Sequence, residues 1–153
     1  MKASVGFIFF MLFLAGLAFV NLRGMQDRSD AQVGSASELA TSTWKPTHIG
    51  EMRLENDTPL TLEFDSANGL GGYAGCNRFS GAFELAEAAF VAGPISSTRM
   101  ACPEPANSFE ISYLQAMQAT RSITRTESRL IFRDSEGVAV ARFVSSDTNN
   151  SDD

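Results

Sequence analysis

GLGGYAGCNRFSGAF, Gly69–Phe83, places five glycines and one of the chain's two cysteines in a single short stretch. It can be read as a phosphate loop, as the setting of a reactive thiol, or as a turn between strands. Gly69, Gly71 and Ala74 nominally fit the dinucleotide pattern G-x-G-x-x-A. That motif needs a helix directly after it, whose N-terminal amides hold the pyrophosphate. Here the residues from Cys76 to Leu85 are aromatic, alternate like a strand and carry Gly81 in their middle. A Walker loop ends in Gly-Lys-Ser/Thr, and no lysine follows Lys45. The glycines therefore read as backbone devices, permitting a tight turn and close strand approach.

Outward from this stretch the period is mostly two. Leu60, Leu62 and Phe64 alternate with Thr61 and Glu63, and the residues from Asp65 to Gly69 supply a turn. Phe79, Phe83 and Leu85 share one parity, while Phe90-Val91 and Ile95 suggest short strands around Gly93-Pro94. Arg129–Asp134 reads as a strand, and Val138–Val144 as its hairpin partner. Only Asn107–Thr120 has helical spacing, with Phe109, Tyr113, Ala116 and Met117 on one face. Asn107 is the expected cap, and Glu110, three residues on, the expected partner in a capping box. These elements predict an α+β fold, a curved antiparallel β-sheet packed against one main α-helix.

The flanks differ from this core. Residues 1–23 hold Lys2, an apolar run from Ala3 to Val20, and Arg23. They are expected to be a signal peptide or an N-terminal membrane anchor, and either places the remainder outside the cytoplasm. No cysteine follows the run, so attachment through a lipidated N-terminal cysteine is not expected. Residues 24–43 are small and polar and are expected to be a flexible linker. The folded domain is expected over 44–145, and a disordered acidic tail over 146–153. The net charge of the chain is −6. Such an acidic balance with scattered arginines argues against nucleic acid as a partner.

Cys76 and Cys102 are the only cysteines. In an exported chain a disulfide is the default, and closing this loop would stabilise a small domain by about 3–4 kcal/mol. A free or transient thiol and a metal role remain as alternatives. Zinc wants about four ligands, and beyond these two cysteines the chain offers only one histidine, His48. No G-x-S-x-G elbow is present, and no spacing pairs Glu104, Glu110 or Glu127 for acid–base work. No catalytic residue, metal or cofactor is therefore expected. Arg78 and Arg99 lie beside the cysteines in sequence and are the candidates for a surface interaction.

G-x-x-G-C-N-x-x-x-G-x-F over 72–83, S-T-R-M-A-C over 97–102 and E-x-x-Y-L-x-A-M over 110–117 occur in that order. Together they resemble the META domain family, the HslJ-like heat-inducible envelope proteins. Trp44 and the closing strand pair also fit, and the resemblance spans nearly all of 44–144. It implies a compact α+β domain, usually exported or lipid-anchored in bacteria, with the two cysteines bonded and no established catalytic residues. It also gives structural weight to Trp44, Gly72, Gly75, Asn77, Gly81, Thr98, Met100, Ala101, Glu110, Tyr113 and Leu114. Members are linked loosely to envelope stress, and the fold has been likened to small lipid-binding secretin pilot proteins. The expected function is that of a non-enzymatic, stress-related binding or interaction module in the periplasm or on the membrane facing it. Its partner would be an unknown envelope protein. The alternatives are a carrier of a small hydrophobic ligand or lipid and, from another class, a thiol-dependent enzyme.

Overall fold

A computed structural model of the protein describes residues 31–146. The expected leader or anchor at 1–23, the first part of the expected linker, and the tail beyond Ser146 lie outside the described residues.

The described chain forms β1 (Ala31–Gln32), a short helix α1 (Ala36–Leu39), β2 (Trp44–Ile49), β3 (Met52–Arg53), β4 (Leu60–Phe64), β5 (Gly69–Ala74) and β6 (Arg78–Ala86). There follow β7 (Ala89–Ala92), β8 (Ser96–Ser97), the main helix α2 (Ala106–Ala119), β9 (Ser122–Arg125), β10 (Arg129–Arg133) and β11 (Ala139–Ser145). The alternation read from sequence becomes burial: in β4, Leu60, Leu62 and Phe64 are buried while Glu63 is exposed. The hairpin expected near the C-terminus forms as β10–β11, with Leu130 opposite Phe143.

The expected curved antiparallel sheet packed against one main helix does not form, and the sheet closes on itself instead. The antiparallel order β9-β10-β11-β2-β4-β5-β6-β7 returns to its start through the pairing of Ala89 with Ser122. The amides of Phe90 and Ile123 seal the seam by donating to the carbonyls of Arg121 and Ala88. The result is an eight-stranded antiparallel barrel. Closure removes the unpaired edges that an open sheet would expose. The helix then has a different role: α2 touches β2 and β11 but also β5 and β7, so it caps a mouth of the barrel rather than lining one face.

A continuous run of rings fills the interior. Phe64 meets Phe83 at 5.3 Å, Phe83 stacks on Phe90 at 5.3 Å, and Phe90 meets Phe132 at 5.3 Å. Phe132 meets Phe143 at 4.9 Å, and the run ends through Tyr113 on Phe79. Each such pair contributes about 0.5–1.5 kcal/mol beyond simple burial.

The second half of the expected linker is also corrected. Val33 and Leu39 are buried in the core, and the Leu39 carbonyl accepts a hydrogen bond from Trp44 Nε1 at 3.1 Å. Two apolar residues in a small, polar stretch are too few to produce a period, yet enough to seat the segment. It lies at the Phe64 end of β4, where Thr41–Thr43 share a depression with Glu63 and Phe64. Ser146, expected to begin the tail, is held there by Thr43, whose carbonyl accepts from both its amide and its hydroxyl.

Candidate functional site

The residues singled out in the sequence gather mainly at the corner where β5 turns into β6. Gly75 takes φ +94°, and a Cβ there would stand 3.3 Å from Leu60 Cδ2 and 3.6 Å from the Ala106 carbonyl oxygen. Its missing side chain lets the turn lie under the start of α2. The Ala74 amide then closes the turn by donating to the Asn77 carbonyl at 2.8 Å.

Asn77 is buried at the centre of this corner. Its Oδ1 accepts from the Met100 amide at 2.8 Å and from Thr98 Oγ1 at 2.9 Å. Its Nδ2 donates to Glu110 Oε2 at 2.8 Å and to the Met100 carbonyl at 3.3 Å. Its backbone amide donates to the same Glu110 oxygen at 3.1 Å. Thr98 Oγ1 in turn accepts from the Arg78 amide at 3.2 Å. Both acceptor positions and both amide hydrogens of the carboxamide are thus engaged, as a buried polar group requires. One side chain joins the β5–β6 turn, the segment after β8 and α2.

The disulfide lies beside this network. Cys76 and Cys102 are bonded, with their Cα atoms 5.9 Å apart, inside the usual range for a bridge. The covalent tie joins two of the three segments that the Asn77 network binds, the β5–β6 turn and the segment after β8.

The capping box expected for α2 is corrected here. Asn107 and Glu110 do not cap the helix reciprocally; the residue before its first turn is Pro105, which offers no side-chain cap. Glu104 serves instead. Its carboxylate accepts from the Ser108 amide, the Ser108 hydroxyl and Asn107 Nδ2. The Ser108 hydroxyl first, and then Asn107, hold the Glu104 carboxyl below its usual range. Glu110 is left to reach Asn77, a long-range partner that local spacing cannot reveal.

A second junction lies at Thr61. Tyr113, fully buried, donates its hydroxyl to the Thr61 carbonyl at 3.2 Å, and burial pushes the phenol well above its ordinary value. Gly72 sits against the same carbonyl at φ +155°, where a Cβ would collide with the Thr61 oxygen. Other motif residues lie elsewhere. A Cβ on Gly81 would stand 3.0 Å from the Pro94 carbonyl oxygen, and Leu114 packs half-buried against the core. Trp44 lies with the N-terminal segment, under the Arg125 guanidinium at 5.6 Å from its ring centroid. Arg125 and Thr61 were not anticipated, since the partners that give them a role, Trp44 and Tyr113, lie far away in sequence. Met100 is 58% exposed and contributes through its backbone alone, while Ala101 is exposed. Among the described residues, no cluster of three or more His, Cys, Asp or Glu could hold a metal ion.

The open surface near this corner is a groove of about 700 Å³ on the outer face of β4, β5 and β6. Its floor includes Gly71, and its walls carry Glu63 and Asp65 on one side and Arg78, Ser80 and Ser96 on the other. A shallower apolar depression of about 380 Å³ lies beside α2, lined by Ile49, Ala116, Val138 and Val140 among others.

The sequence pattern of the META domain matches residues 37–147. No curated protein matches the chain. Among solved structures, one determined by NMR superposes with a TM-score of 0.61 at 19% identity, covering 77% of this chain and all of its own. An NMR structure of a protein from Burkholderia xenovorans gives 0.58 at 20% identity, covering 80% of this chain and 96% of its own. The crystal structure of a DUF4847 family protein from Bacteroides vulgatus gives 0.55 at 10% identity, covering 76% and 98%. These likenesses establish a shared fold.

Proposed function

The chain belongs to the META domain family, and from that premise we propose that it is a non-enzymatic binding module exported to the cell envelope. The disulfide gives the module rigidity, and its outer surface engages a partner protein. The observation that carries this reading is how the signature residues are used. The Asn77 carboxamide bonds both Thr98 Oγ1 and the Glu110 carboxylate, and the two sulfurs are joined. Groups committed to one another in this way hold a scaffold. Export fits the bridge, which persists in oxidising compartments, and fits the apolar run after Lys2.

The carrier alternative needs interior room for a hydrophobic ligand, and the run from Phe64 to Phe79 occupies that interior. A thiol-dependent enzyme needs a free sulfur, and both cysteines are paired.

The test is chemical crosslinking in intact envelopes, combined with thiol labelling of the protein taken directly from them. The expected result is a discrete crosslinked adduct and no labelling until the protein is reduced and unfolded. Labelling of the native protein, or its recovery from the cytosol without an envelope adduct, overturns the reading.

A further inference from the structure

The ring closes through one residue pair, Ala89 with Ser122, and beyond that point β8 continues the line of β7 along the same edge of β6 with no further strand paired to it. β8 pairs with β6 alone, Ser96 opposite Ser80 and Ser97 opposite Phe79. The segment stays tied to β6 past β8, with the Thr98 amide donating to the Arg78 carbonyl at 3.0 Å and the Met100 amide to Asn77 Oδ1 at 2.8 Å. Alternate residues of a strand direct their amides to opposite sides. Because the Thr98 and Met100 amides bond toward Arg78 and Asn77, those of Ser97 and Arg99, before and between them, are left to face away from β6. All the residues from Ser96 to Ala101 are exposed.

Natural proteins blunt such edges or use them. Two features favour use. The edge is held at its end by the Cys76–Cys102 bridge and along its length by Asn77, so a guest strand need not order it, which removes a large cost of association. The charge is also local. The chain is acidic overall, yet the residues from Ile95 to Cys102 contain no Asp or Glu and include Arg99. Exposed Arg78 stands directly across on β6 and lines the adjoining groove. Glu63 is on the far wall, two strands away on β4.

We propose that this edge accepts an extended, acidic segment of a partner protein as an added strand, main chain to main chain. Arg78 and Arg99 select for its carboxylates. The proposal rests on the binding-module reading and names the partner's chemistry and the surface that takes it.

The test uses the disulfide-bonded protein and two blocked heptapeptides of alternating charged residue and valine, one with glutamate and one with lysine. Amide exchange and chemical shifts are followed by NMR during titration. With the glutamate peptide, exchange at Ser97 and Arg99 should slow roughly tenfold or more as their amides gain partners. The lysine peptide should leave them unchanged. Arg78→Glu with Arg99→Glu should weaken the glutamate peptide roughly tenfold while the spectrum of the core stays native. Unperturbed Ser97 and Arg99 amides, equal protection by the lysine peptide, or binding insensitive to the double charge reversal overturns the proposal. A native envelope partner mapped to another face would sink the strand edge and leave the binding module standing. A protein without any envelope partner would sink the module reading, whatever the peptides do.

Discussion

Two regions hold this barrel together by different physics. The interior is a run of rings from Phe64 to Phe79 through Phe90, Phe132 and Tyr113. It depends on shape and volume. The corner at Asn77 is a polar network beside a covalent bridge, and it depends on every donor meeting its acceptor. The interior tolerates exchange among groups of similar size; the corner tolerates almost none, because each lost partner strands a buried group.

The sharpest way to break the contrast is to damage each region and compare the losses in urea unfolding. Phe90→Ala should cost about 3–5 kcal/mol, since it opens a void that neighbouring rings can only partly fill; Phe90→Leu should recover much of that. Removing the bridge with Cys76→Ser and Cys102→Ser should cost about 3–4 kcal/mol. The loss should equal that of the reduced wild type, because the constraint rather than the sulfur matters. Asn77→Ala should cost about 1–3 kcal/mol, as the Met100 amide loses its partner and the Glu110 carboxylate keeps only the backbone amide of residue 77. Asn77→Leu, close in size but apolar, should do no better. A result in which Asn77→Leu is as stable as wild type would make the corner another packing site and erase the contrast.

The smallest effect expected is at Tyr113, whose ring is part of the interior and whose hydroxyl makes a polar bond of its own to Thr61. Tyr113→Phe should cost about 0.5–1.5 kcal/mol at neutral pH. Its pH dependence is more informative. The phenol is raised by burial in the folded state, so the folded chain holds its proton more tightly than the unfolded chain. Stability from this group is complete below the unfolded value of about 10 and is lost as the solution becomes more alkaline. Tyr113→Phe should therefore flatten the alkaline fall in stability, which unfolding curves between neutral and strongly alkaline pH will show.

The parts of the fold that were legible in the sequence are the ones written locally. Alternation at Leu60, Leu62 and Phe64 gave a strand, and the spacing of Phe109, Tyr113 and Met117 gave a helix that runs over Ala106–Ala119. Closure was not legible. It depends on β9, four residues with one buried side chain, Ile123, meeting β7 at a single residue pair. Periodicity records which way a side chain points, never which distant strand lies beside it. Glu110 failed for a related reason: its spacing from Asn107 satisfied a local motif, while its partner lies thirty-three positions back in sequence. The seating of the N-terminal segment was hidden because Val33 and Leu39 are isolated among small polar residues.

Trp44 is the only tryptophan in the chain, completely buried, with its indole nitrogen bonded to Leu39 and a guanidinium over its face. That arrangement makes it an optical sensor of the barrel's entrance segment. Any pull on the chain ahead of Ala31 strong enough to lift Leu39 would wet the indole and move its emission to longer wavelength. Such a shift could occur while the far-ultraviolet signature of the strands stayed whole, so the single indole reports the seating of Leu39 separately from the integrity of the barrel.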